Sequence, residues 1–234
     1  MKRIAVMQPY FLPYLGYFQM VNAVDQFVIY DDIQYTKQSW FNRNRFFLNG
    51  KPHYFTIPVK KDSDFLNVDE REVSPDYQYQ KKELIARFEL AYKKAPYFDQ
   101  VYPMLLEILN CEERNLYRFI RYSFDCVCDY LKIDTKVTPS SRVDGEENLS
   151  GKERLIGICE KLGGKHYINL PGGRTLYNKK DFERKGIQLS FIDPIFTEYD
   201  QFGEKFIPGL SILDVMMFNP VDKIKEMLQR FELN

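Results

Sequence analysis

Ile4-Ala5-Val6-Met7-Gln8-Pro9-Tyr10-Phe11-Leu12-Pro13-Tyr14-Leu15-Gly16-Tyr17 is the stretch whose reading decides the fold. Its first four residues form an apolar run, and two prolines then stiffen a turn. A helix-like apolar segment begins near Leu15 or Gly16 and ends near Val24. A second strand-like run, Gln26 to Tyr30, leads into the polar stretch Asp31 to Arg45. Strand, rigid turn, helix, strand and polar loop predict a β-α-β unit. In an open α/β sheet the loops beyond the carboxyl ends of the strands face the ligand.

Downstream, Arg45 to Val59 reads as a hairpin, because two β-prone runs are joined by Asn49-Gly50. Lys60 to Ser74 is polar and reads as a loop. The period then changes to helical over Gln78–Lys94, Phe98–Leu109 and Glu113–Leu131, with Pro96 ending the first of these helices. After this block come a strand at Lys136–Thr138, a helix at Gly151–Leu162 stopped by Gly163-Gly164, and a strand at Lys165–Asn169. A short helix at Lys179–Lys185 and a strand at Ile187–Ile192 follow. The tail reads as helix over Ile212–Phe218 and Val221–Phe231. The expected fold class is α/β with a mainly parallel sheet and an inserted or appended helical block. Residues 1–74 and 136–234 form the two parts of the α/β domain, and 75–135 the helical block.

The chain has 234 residues, and its 33 Lys+Arg balance 33 Asp+Glu, which argues against a general nucleic-acid binder. Aromatic residues reach 16%, with 17 Tyr and 19 Phe, a composition that suits binding surfaces and equally a Phe- and Tyr-rich core. No run reaches the ~18 apolar residues of a membrane span, and the first residues lack the apolar region of a secretory signal. Cys126 and Cys128 are two apart on a helix and point to different faces, and only His53 and His166 are available, so no zinc site is expected. Reduced thiols and a cytoplasmic location are the expectation. Nothing in the sequence sets the oligomeric state.

Three loops carry the candidate chemistry. In the first, Gln8, Pro9, Tyr14, Gly16 and Tyr17 would form a phosphate-facing turn at a helix start. In the second, Asp31 and Asp32 would hold magnesium or act as a base. Lys37 and Arg43 would clamp phosphates, Trp40 would stack on a base or sugar, and Asn42 and Arg45 belong to the same loop. In the third, Pro171-Gly172-Gly173-Arg174 resembles an anion-binding turn, with Arg174 supplying charge. Ser211 sits at the N-cap of the tail helix, where it meets a ligand only if that helix end faces the same cleft.

The residues Gln8-Pro9, Pro13, Gly16-Tyr17-Phe18, Asp25, Phe27-Val28, Asp31-Asp32 and Asn42-Arg43-Asn44, with Pro208 to Asn219 in the tail, resemble the WbqC-like protein family. The resemblance implies a bacterial protein of surface polysaccharide (lipopolysaccharide, O-antigen) biosynthesis. A weaker resemblance is to the Rossmann-like nucleotidyltransferases, in which Tyr14-Leu15-Gly16-Tyr17 lies where His-x-Gly-His would. Together these imply a transferase moving an acyl, aminoacyl or nucleotidyl-activated group to a nucleotide-linked amino sugar. ATP or another nucleotide with magnesium would be its cofactor. The alternative is a non-catalytic protein that binds a nucleotide sugar or lipid-linked intermediate.

Overall fold

β1 (Arg3–Met7), β2 (Gln26–Ile29), β5 (Lys136–Pro139), β6 (His166–Asn169), β7 (Gln188–Pro194) and β8 (Phe231–Leu233) form one six-stranded sheet in the computed structural model, which describes residues 1–143 and 149–234. Its order is β5-β2-β1-β6-β7-β8. The first five strands in that order pair in parallel, and β8 runs antiparallel to β7. The winding thus proceeds outward from β1 in one direction through β2 and β5, and in the other through β6 and β7. This is a Rossmann-like arrangement, and its winding reverses between β1 and β6. A crevice opens outside the carboxyl ends of the strands at such a reversal.

The strands are apolar on both faces because helices cover both. Ile4, Val6 and Val28 point to the side where α5 (Gly151–Lys161) and α6 (Lys179–Glu183) pack, supplying Leu155, Ile158 and Phe182. Ala5, Phe27 and Ile29 point to the other side, packed against α1 (Leu15–Ala23), α4 (Leu116–Leu131), α7 (Ile212–Phe218) and α8 (Val221–Leu228). The period-2 alternation of the strand sequences therefore sets two cores, one on each face.

β3 (Arg43–Leu48) and β4 (Lys51–Thr56) form a separate antiparallel hairpin. Asn49 and Gly50 make its turn with φ of +51° and +73°, the left-handed pair that Asn-Gly supplies. The helical block consists of α2 (Tyr77–Tyr92), α3 (Phe98–Asn110) and α4. It has no core of its own: Leu84, Phe88, Val101 and Phe119 join the same apolar cluster as Phe18, Phe27, Phe46 and Phe55.

The structure departs from the sequence reading in the tail. The last helix ends at Leu228, and Phe231 opens β8 instead of closing a helix. The cause lies in α1, whose buried Gln19 donates its amide to the carbonyls of Met227 (2.8 Å) and Arg230 (2.7 Å). It thereby satisfies carbonyls that a longer helix would have bonded internally. The loops at Val68–Glu70 and Pro171–Thr175 contain short 3₁₀ turns. Among the described residues no helix is long and apolar enough to cross a membrane.

Candidate functional site

A cavity of about 540 Å³ opens where the winding of the sheet reverses. β1 and its turn supply Val6, Met7, Gln8, Tyr10, Pro13 and Tyr14. The residues after β2 and β6 supply Tyr30 and Asn169 to Gly173. The hairpin side contributes Trp40, Asn44 and Arg45, and Tyr177 and Phe196 complete the aromatic lining. The volume suits a nucleotide- or sugar-sized ligand, and the mix of aromatic surface with a few amides and phenols is that of a binding pocket. Among the described residues Arg45 is the one charged side chain in the lining.

The β1 turn is held rigidly. Leu12 adopts φ of +44°, and its carbonyl accepts from Asn44 Nδ2 and from Ser211 Oγ, both at 2.8 Å. Pro9 is buried within the turn. Gln8 lines the cavity and accepts from the Tyr10 hydroxyl at 3.1 Å through Oε1. Burial, then the neighbouring Tyr10, pushes the Tyr14 phenol up to about 12, so it remains a neutral hydrogen-bond donor at physiological pH. A Cβ on Gly16 would fall 2.4 Å from the Tyr14 ring and 2.7 Å from Pro194. The open side of this glycine is therefore filled by protein. Tyr17 is 1% exposed and packs on Phe27 and Phe124. It serves the cleft indirectly, donating its hydroxyl to the Gln8 carbonyl at 2.9 Å.

The structure takes the second-loop residues in several directions. Asp31 is buried, and its carboxylate accepts from Ser140 Oγ (2.9 Å), Ser141 N (3.0 Å) and Ser141 Oγ (2.6 Å). Asp32 pairs with Arg154 of α5 and also accepts from Ser140. Both carboxylates thus fasten β2 to the turn after β5 and to α5. Among the described residues no three His, Cys, Asp or Glu side chains are grouped to hold a metal. Among the described residues, with the oxygens of Asp31 and Asp32 engaged by Ser140, Ser141 and Arg154, this donor set does not fit a resident magnesium ion. Nearby Asp69, pushed up to about 6 by burial and then by Asp31 and Asp32, marks how crowded with negative charge this corner is.

Lys37 stands in solvent, 2.7 Å from Asp64. Asn42 is buried, donating to the Ile57 carbonyl (2.7 Å) and accepting from the Tyr35 hydroxyl (3.1 Å), which pins the base of the hairpin. Arg174 turns away from the cleft to a two-pronged ion pair with Asp193, although Gly172 and Gly173 beside it line the cavity. Ser211 caps α7 and holds Leu12 without reaching the cavity. Trp40 does line it, stacked on Tyr54 at 6.3 Å with the rings 23° apart. The Arg43 guanidinium lies 5.7 Å from the Trp40 ring centroid and that of Arg45 5.8 Å.

Of the residues expected from sequence, the structure brings Gln8, Tyr14 and Trp40 to the cavity, with Arg43 against Trp40. Pro9, Gly16, Tyr17, Asn42 and Ser211 support its walls, and Asp31, Asp32, Lys37 and Arg174 are engaged elsewhere. Tyr30, Asn169 and Tyr177 line the cavity without having been expected. Tyr30 and Asn169 lie at the carboxyl ends of their strands, so the same strand-end rule that selected the loops reaches them too.

The model of the WbqC-like protein family matches residues 8–226 of the chain. Uncharacterized protein Rv1507c of Mycobacterium tuberculosis (strain ATCC 25618 / H37Rv) is 32% identical over 222 residues, covering 94% of each chain. No solved structure matches.

Proposed function

This chain belongs to the WbqC-like protein family, and on that footing we propose that it binds a nucleotide-linked amino sugar in the β1–β6 cleft and transfers an acyl, aminoacyl or nucleotidyl-activated group to it. Family membership suggests a role in polysaccharide biosynthesis. The observation that carries the reading is the place and lining of the cavity: about 540 Å³ at the reversal of a Rossmann-like sheet, walled by tyrosines, Trp40 and amides. Tyr14, Tyr30, Gln8 and Asn169 offer the donors and acceptors that hydroxyl and acetamido groups of a sugar require.

The test is a thermal-shift screen with nucleotides and nucleotide sugars, followed by mass spectrometry of the sugar after incubation with candidate group donors. A ligand at ~100 times its dissociation constant adds about 2.7 kcal/mol and raises Tm by several degrees. A sugar of increased mass supports transfer, and no shift with any nucleotide sugar overturns the reading.

A second reading, a non-catalytic binder of the same ligand, is favoured by one observation. Asp31, Asp32, Lys37 and Arg174, which would serve acid–base or phosphate chemistry, are all paired outside the cavity. It is distinguished by a clear thermal shift with no change in sugar mass.

A further inference from the structure

Arg43 and Arg45 alternate along β3 and therefore share one face of the hairpin, with Arg45 opposite Tyr54 across the ladder. Arg43 also lies 5.1 Å from the Tyr54 ring centroid, so both guanidiniums belong to one cluster with Trp40 and Tyr54. Among the described residues neither arginine forms an ion pair, and the two are next to each other on one face against Trp40, which lines the cavity. The Nε of each is buried with no hydrogen-bond partner. Among the described residues the one protein bond to either guanidinium is from Arg45 Nη2 to the Gly209 carbonyl at 3.1 Å. Among the described residues these two adjacent positive charges have no acidic partner, and they sit beside a cavity whose other described lining residues are neutral.

We infer that Arg43 and Arg45 receive the diphosphate of a diphosphate-linked sugar, whose uncharged ring enters the cleft toward Gln8, Tyr14 and Tyr30. Two guanidiniums match the two charges of a diphosphate and present donors in forks that phosphate oxygens accept. At the start of α1 the side of Gly16 where a side chain would lie is filled by the Tyr14 ring and Pro194. The neutral interior favours the saccharide end, because an unpaired phosphate buried there would have no counter-charge. This rests on the sugar-binding reading above and adds to it the direction in which the ligand lies. The diphosphate is common to nucleotide-linked and polyprenyl-linked sugars.

Trp40 is the sole tryptophan, so its fluorescence reports this cluster alone. The probes are UDP-N-acetylglucosamine, a short-chain polyprenyl diphosphate N-acetylglucosamine in detergent, inorganic pyrophosphate and free N-acetylglucosamine. Pyrophosphate and at least one diphosphate sugar are expected to change the emission saturably. Arg43→Gln should weaken each about tenfold, the loss of one charge-assisted contact, while Arg43→Lys weakens them less. Arg43→Gln gives up its contacts with the Trp40 and Tyr54 rings and Arg45→Gln the Gly209 bond, so the affinity of each variant is read against its own Tm. Diphosphate sugars that bind Arg43→Gln and Arg45→Gln as tightly as the parent overturn the inference and leave the sugar-binding reading standing. Pyrophosphate binding lost in Arg43→Gln, with neither sugar bound, supports the anion site and overturns the sugar reading. No response to any phosphate-bearing probe overturns both. Response to the polyprenyl sugar alone identifies the lipid-linked source, and response to the UDP-sugar alone the nucleotide source.

Discussion

Gly16 illustrates how a residue that reads as functional in sequence can be demanded by its neighbours. The Tyr14 ring and Pro194 occupy the place its side chain would take. Gly16→Ala is expected to lower stability by about 1–3 kcal/mol, the range for overpacking, and to displace Tyr14 from the cavity. Thermal denaturation checks the first effect and ligand affinity the second. Asp69 gives a pH signature. Its carboxyl is pushed from the ordinary 3.8 to about 6, so between those values the folded state holds more protons than the unfolded chain. Stability therefore falls as pH rises through that window, and the penalty persists above it. Asp69→Asn should flatten the decline and add about 1 kcal/mol at pH 7.5, a figure reduced for the partial exposure of the group. Urea midpoints from pH 4 to 8 measure it, and a variant that parallels the parent refutes the assignment. At this scale the sequence told residue types but not partners. Asp31, Asp32 and Arg174 have the chemistry of site residues, and what claims them is Ser140, Ser141, Arg154 and Asp193, residues that only the fold brings near.

Among the elements, α7 shows why the tail motif matters. Its Asp214 is fully buried and accepts from Tyr92 (2.9 Å), Tyr199 (2.7 Å) and Gln201 (2.6 Å). Burial holds its carboxyl above the ordinary range despite those bonds. The Tyr92 hydroxyl in turn accepts from the Phe47 amide at 3.1 Å, so one phenol ties α2, β3 and α7 together. Tyr92→Phe would strand the Phe47 N–H and remove one bond from Asp214, and is expected to lower stability by about 2–4 kcal/mol. A Tm within one degree of the parent would contradict this. Strands, hairpin and helices were legible because period and turn chemistry are local: Asn49-Gly50 fixed the hairpin, and two prolines fixed the β1 turn. β8 was not, since Phe231–Leu233 is strand only because β7 offers an edge and Gln19 ends the preceding helix.

Across the whole molecule, the apolar cluster that runs from the sheet through α2, α3 and α4 joins the helical block to the α/β part. We therefore expect one cooperative unfolding transition. Trp40 fluorescence, reporting the hairpin, and far-UV circular dichroism, reporting the helices, should give coincident urea curves. Two separated midpoints would show that the block unfolds independently. The place of the cleft was legible at this scale, because strand order and loop position follow from the alternation of elements. Its electrostatics were not, because the net balance of charge says nothing about which arginines remain unpaired. Leu12 adds a consequence in time. Its left-handed backbone, next to the cavity, is held by Asn44 and by Ser211, the latter 199 residues farther along the chain. A ribosome must therefore have delivered the segment around Ser211 before the wall of the cleft can set. A prematurely ended chain would carry the cavity-lining residues of the β1 turn without the Ser211 contact that helps hold their geometry.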